Sequence, residues 1–167
     1  MTELSKKLGS KREKLVKLPR YPSLKKMRQG TRMSPRRFIS VFHLDDSQEQ
    51  LEVAKIILER DDPSIKVNLF QSPSALLREL MVRNCDCIVT SYSVNRTNIE
   101  LLAPEIRRVT GAPIILYSAF ERYNAEQIVS SNHIDGFVEK KSNLEHYKEL
   151  TAMIRGVVEK YRRIRSS

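Results

Sequence analysis

Five short apolar runs, each followed by a stretch of helical spacing, constrain this chain more than any other feature. The runs are Phe38–Leu44, Ile65–Phe70, Asp86–Ser91, Pro113–Tyr117 and Gly136–Glu139. After the first, residues 47–60 place Leu51, Ala54, Ile57 and Leu58 at helical spacing, with Ser47 positioned as N-cap. Asp61-Asp62-Pro63 breaks that helix. Ser72-Pro73 opens a second helix to about Arg83, with Pro73 at the favoured first-turn position. Further helices are expected at about Thr97–Val109, Arg122–Ser131 and Leu144–Arg163. The central runs are continuously apolar rather than alternating, as strands covered by helices on both faces must be. Five strand–helix alternations with short connections specify an α/β domain, a doubly wound (βα)5 parallel sheet.

Sheets of this kind bind ligands beyond the carboxyl ends of their strands. The polar residues there are Asp45, Asp46, Ser91, Ser118 and Lys140. Two adjacent carboxylates suit a hard, oxygen-seeking cation such as Mg2+. A lysine opposite them supplies a point charge for a phosphoryl oxygen, and a serine hydroxyl can hydrogen-bond another. The simplest alternatives are that Asp45-Asp46 is a solvated turn before the first helix and that Lys140 only neutralises the two carboxylates. His43, His133 and His146 have no partners at metal-ligand spacing and read as structural or exposed. Tyr92 and Tyr117 read as packing residues near strand ends.

Charge divides the chain. Residues 1–37 hold 13 Lys/Arg against 2 Asp/Glu, whereas residues 38–167 hold 17 against 18, so the net +10 belongs to the amino-terminal segment. That segment has Pro19, Pro22, Pro35, Gly9 and Gly30 and too little apolar content for a core, so it reads as a largely disordered basic arm. Leu4, Leu8, Leu15 and Leu18 fall roughly on one helical face and would order on an anionic surface, although Gly9 weakens that helix. The arm's cations suit nucleic acid phosphates, anionic lipid or an acidic protein, or serve solubility alone. Its one aromatic, Tyr21, gives no sign of base stacking. Cys85 and Cys87 are too close along a strand to pair well and read as buried, reduced thiols. With no apolar run of membrane-spanning length and no secretory leader, the expected location is cytoplasmic and the protein is not an integral membrane protein.

Residues 38–163 resemble a response-regulator receiver domain. Phe42-His43-Leu44-Asp45-Asp46 is similar to the family's first strand and acidic pair. Asp86-Cys87-Ile88-Val89-Thr90-Ser91-Tyr92 resembles the phosphoacceptor strand, in the wording common among archaeal receivers. Leu116-Tyr117-Ser118-Ala119 resembles the strand whose hydroxyl reports phosphorylation, and Asp135–Lys140 the fifth strand, with Phe137 at the switch-aromatic position. The resemblance implies a flavodoxin-like, CheY-like fold and a place in two-component, phosphorelay signal transduction. The departures are equally specific. Ser91 stands where the acceptor aspartate belongs, and residues 87–99 contain no Asp or Glu. The loop Val94-Asn95-Arg96-Thr97-Asn98 lacks the family's Pro and Gly, and Lys141 replaces the proline after the pocket lysine. Similar chains are called pseudo-receivers.

These readings set the expectations. The domain is a non-catalytic pseudo-receiver that takes no phosphoryl group and needs no cofactor. Mg2+ binding at Asp45 and Asp46 should be weak, because one carboxylate of the usual three is missing. Signalling proteins are expected to dock on about residues 122–163, the face that often carries output or self-association in the family, which also makes a homodimer an expectation. The alternative is a nucleic-acid-associated protein that binds through residues 1–37 and uses the domain as a dimerisation platform. A third reading, phosphotransfer through Ser91 with Asp46 as base, is the least favoured, since an unactivated hydroxyl is a poor nucleophile.

Overall fold

The computed structural model describes residues 37–119 and 122–167, and of Arg122 and Tyr123 the backbone only. The expected basic arm therefore lies outside the described residues, apart from Arg37, as do its four leucines. The element order is β1 (Ile39–Leu44), α1 (Gln48–Asp61), β2 (Ile65–Phe70), α2 (Pro73–Val82), β3 (Cys87–Thr90), β4 (Ser93–Val94), β5 (Thr97–Asn98), α3 (Ile99–Val109), β6 (Ile114–Ser118), α4 (Arg122–Ser131), β7 (Gly136–Glu139) and α5 (Glu145–Ser166). Five parallel strands form one sheet in the order β2-β1-β3-β6-β7, the architecture the five alternations specify. No helix among the described residues is long and apolar enough to cross a membrane.

Strand alternation sends side chains to two cores. On one face Val41, Val67, Val89, Ile115 and Val138 pack with Ala54 and Leu58 of α1 and Leu150, Ile154 and Val158 of α5. On the other, Phe42, Leu44, Ile88, Ile114 and Leu116 pack with Leu76 and Leu80 of α2 and Leu102 and Ile106 of α3. β3 at the centre is buried along its whole length. That explains why its sequence does not alternate: each face needs apolar side chains. Cys85 and Cys87 are free thiols in this interior, and burial pushes Cys85 up to about 12, so it stays protonated.

The helix starts follow local chemistry. The Ser47 hydroxyl accepts from the Gln50 amide at 3.3 Å and the Ser72 hydroxyl from the Ala75 amide at 3.3 Å, satisfying two of the donors that a helix start leaves open. One expectation fails. The third helix starts at Ile99 rather than Thr97, because Ser93–Asn98 folds into a two-stranded antiparallel hairpin first. Its turn residues Asn95 and Arg96 have φ of 49° and 67°. Two consecutive left-handed residues make the tight hairpin turn whose twist matches paired strands. The pairing consumes the backbone of Thr97 and Asn98, while Val94 and Ile99 drop into the core. Asn95 Nδ2 donates to Gln71 O at 2.8 Å and ties the hairpin to the end of β2.

Candidate functional site

The parallel register carries β1, β3 and β7 to a common edge. Asp45 follows β1, Ser91 follows β3 and Lys140 follows β7, and their side chains meet. Ser91 Oγ donates to Asp45 Oδ2 at 2.5 Å, and Lys140 Nζ donates to the same oxygen at 2.6 Å and to Ser91 Oγ at 3.1 Å. Asp45 Oδ1 accepts from the Ser47 amide at 2.9 Å, so both carboxylate oxygens are engaged. Lys140 also donates to Gln50 Oε1 at 2.8 Å and lies over the Tyr117 ring, 4.9 Å from its centroid.

The charges are balanced within this group. Asp45 is buried, and burial by itself would push its carboxyl up. The hydrogen bonds from Lys140, Ser91 and the Ser47 amide, together with the lysine's charge, outweigh that and hold it below the ordinary carboxylate range. Asp45 is therefore an anion at neutral pH and a weak base for its neighbour's hydroxyl. One buried carboxylate and one lysine give no net charge.

The five polar residues of the strand ends are not equivalent. Asp46 is exposed, and among the described residues Lys140 pairs with Asp45 and not with Asp46, so the expectation that the lysine neutralises both carboxylates is corrected. The residue placed to accept the Ser91 proton is likewise Asp45, not Asp46. Asp45 turns inward under Ser91 and Lys140, while its successor begins the exposed entry to α1. Ser118 ends β6 in register with Glu139, and its carbonyl accepts from the Lys140 amide at 2.9 Å. Its hydroxyl is not hydrogen-bonded to the Asp45–Ser91–Lys140 group. Phe137 is half-buried and packs against the core on the α2–α3 side.

Some contributors were not legible beforehand. Gln50 and the Ser47 amide belong to the first turn of α1, and their only signal was the capping serine that aims this turn at the strand edge. His43 is fully buried one layer below, its ring 5.9 Å from that of Tyr117, and neither ring nitrogen has a hydrogen-bond partner. Burial pushes it down to about 4, so it is neutral. Tyr117 and His146 share a buried hydrogen bond of 2.7 Å, which gives two residues read as packing or exposed a joint polar role.

Among the described residues, no group of three His, Cys, Asp or Glu is placed to hold a metal ion. The donors do not fit Mg2+ well. Asp45 already accepts three hydrogen bonds, Lys140 places a cation at its Oδ2, and the third residue offers a neutral hydroxyl.

No protein-family model and no curated protein sequence matches this chain. Solved structures do. The response regulator domain of Thermotoga maritima CheB is 22% identical, with a TM-score of 0.65 over 74% of this chain and 98% of that one. A CheY-like receiver domain protein of Methanospirillum hungatei is 15% identical, with a TM-score of 0.64 over 75% of this chain and 98% of that one. A receiver domain protein of Clostridium thermocellum is also 15% identical, with a TM-score of 0.66 over 76% and 99%. At these identities the likeness establishes architecture alone: the described part of the chain folds as CheY-like receiver domains fold.

Proposed function

We propose that this is a pseudo-receiver: a non-catalytic signalling module of receiver architecture that acts through protein contacts and takes no phosphoryl group. One observation carries the reading. The Ser91 hydroxyl is held between Asp45 and Lys140 at 2.5 and 3.1 Å, so the position from which a carboxylate would attack phosphorus holds an alcohol whose proton is already donated. Lys140, the cation a phosphoryl oxygen would need, is committed to Asp45, Ser91 and Gln50. Asp45 is too weak a base to make Ser91 a nucleophile. Phosphotransfer through Ser91 is disfavoured for the same reason, and no Mg2+ is required.

The partner face we assign is about residues 122–163. There Phe137, Val138, Met153 and Val157 line an open groove of about 550 Å3 between β7 and α5, flanked by Glu149 and Lys160. An apolar floor between charged rims is the ordinary anatomy of a protein interface. A second copy of the chain and a separate signalling protein are both candidates for it.

The test is treatment with acetyl phosphate and Mg2+ followed by intact-mass measurement. The wild-type chain should keep its mass, and a gain of one phosphate overturns the proposal. Ser91→Asp should acquire the phosphate and bind Mg2+ more tightly than wild type.

A further inference from the structure

The other end of the sheet, where the strands begin, carries a different constellation. A cleft of about 430 Å3 lies between Arg37, Asn84, Asp86, Thr110, Gly111 and Arg165. These residues precede β1, β3 and β6 or end α5, so the parallel topology that gathers Asp45, Ser91 and Lys140 at one edge gathers them at the other.

The cleft is cationic, and its cations are unspent. Its single carboxylate, Asp86, has both oxygens occupied: Oδ2 accepts from the Ser40 amide at 2.9 Å and Oδ1 from Arg162 Nη2 at 3.2 Å. Arg37 and Arg165 have no ion pair or hydrogen bond among the described residues. Arg162 Nε is buried without an acceptor, so this end of the domain is short of acceptors rather than donors. Cys85, which also borders the cleft, is protonated and adds no negative charge. With Asp86 paired to Arg162, which lies outside the lining, Arg37 and Arg165 leave a local excess of two positive charges. The Arg165 guanidinium lies against Gly111, where even an added Cβ would sit 3.6 Å from Nη2.

We propose that this cleft binds phosphates of a nucleic acid backbone, with Arg37 and Arg165 as the phosphate-contacting residues. Guanidinium forks match phosphate oxygens and hold them through paired hydrogen bonds, which lysines do not. Polar side chains dominate the lining, and beside the buried Cys85 only Val109 is apolar there, so the cleft offers nothing to a bilayer. The sequence favours a polymer over a single small anion. Arg37 closes a segment with 13 Lys/Arg against 2 Asp/Glu, a density that one phosphate does not use and a phosphodiester chain does. Phe38, next in sequence, is 56% exposed, with Lys66 5.7 Å from its ring centroid. An aromatic beside cations is what single strands use, so single-stranded DNA should bind at least as well as duplex. Contacts to backbone phosphates carry no sequence information, so binding is independent of sequence.

The experiment is fluorescence anisotropy of the full chain with labelled single-stranded and duplex DNA of about 20 nucleotides, titrated between about 50 and 200 mM salt. The comparison is with the double variant Arg37→Ser/Arg165→Ser. The variant should bind at least about tenfold more weakly at low salt, and its slope of log affinity against log salt should be shallower by about two. Its urea midpoint should match that of wild type, so the loss is not unfolding. Equal affinity and slope in the two proteins would place the phosphate contacts in residues 1–36 and overturn the cleft. Failure of wild type to bind either DNA overturns the proposal as well. Inorganic phosphate and vesicles containing anionic lipid are the parallel probes. Binding of either without binding of DNA assigns the cleft to that ligand instead and sinks the nucleic acid reading.

Discussion

The two ends of one sheet are built on opposite principles. At the carboxyl end, Asp45, Ser91 and Lys140 satisfy one another, their charges cancel, and the group is largely shielded from water. At the amino end, Arg37 and Arg165 face an open cleft with no counter-charge of their own. At the end that carries the receiver-like residues the polar groups are spent on one another, and at the other end two arginines have no side-chain partner among the described residues. Buried pairs are costly to break and exposed unpaired cations are cheap to remove. The difference therefore predicts how each end responds to substitution.

The largest effect should come from Lys140→Met. It leaves the Asp45 carboxylate buried with only its bonds from Ser47 and Ser91, and should cost about 3 kcal/mol at neutral pH by urea denaturation. The sign of the pH dependence follows from the lowered Asp45 pKa. In wild type this group contributes stability above the ordinary carboxylate range and loses it as pH falls through the lowered folded value. Without the lysine, burial dominates and raises the Asp45 pKa. The gap between the two proteins should then start to narrow above the ordinary carboxylate value of about 4, as pH falls through the variant's raised pKa, and close as pH falls through the lowered wild-type one. A gap that stays constant with pH would mean that Lys140 acts through packing on Tyr117, and the description of this end as a closed ion pair would fail.

His43 gives the next effect, from one layer beneath the same edge. Its folded pKa of about 4 lies below the unfolded value, so unfolding takes up a proton that the folded chain refuses. Stability should be full above about pH 6.5 and decline towards pH 4, by up to about 1.4 kcal/mol per pH unit. His146, which burial also pushes down, adds to the decline with the same sign. His43→Leu should flatten much of it. At neutral pH the same variant should gain about 1–2 kcal/mol, because two buried ring nitrogens without partners disappear. A less stable His43→Leu protein would show that the imidazole makes polar contacts after all.

How far the sequence foretold each end has a physical explanation. Strand positions and the doubly wound order follow from continuous apolar runs and capping residues such as Ser47 and Ser72, whose effects are local. The meeting of Asp45, Ser91 and Lys140 was legible because parallel register fixes which strand ends coincide. What each side chain does there was not. Asp46 and Ser118 sit at the right height but outside the hydrogen-bonded group, a matter of side-chain direction rather than strand position. The hairpin at residues 93–98 was missed because neither Asn95 nor Arg96 is glycine, although both take left-handed backbone. The cleft at the amino end left no motif: Arg37, Asp86, Gly111 and Arg165 are brought together only by the fold.

That hairpin allows a smaller test of the carboxyl end. Arg96 has φ of 67° and bears a Cβ that this conformation disfavours. Arg96→Gly should stabilise the protein by about 0.5–1 kcal/mol, since relief of strain exceeds the extra freedom given to the unfolded chain. Thermal denaturation reads it directly. Destabilisation would mean that the Arg96 side chain makes contacts worth more than its strain.

The smallest effect on stability belongs to the amino end, and there smallness is the informative result. Arg165→Ser removes a side chain that is exposed and has no partner among the described residues, so the urea midpoint should move by less than the equivalent of about 0.5 kcal/mol. Repulsion by Arg37 and Arg162 favours the removal and the negative end of the α5 dipole opposes it, so the shift should stay small and shrink further as salt screens both. A loss of more than about 1 kcal/mol would show Arg165 bracing the end of α5 against Gly111, and the cleft would then be structure, like the opposite edge. If stability is unchanged while DNA affinity drops, the same residue is dispensable for folding and required for binding. No side chain of the Asp45–Ser91–Lys140 group should show that pair of results.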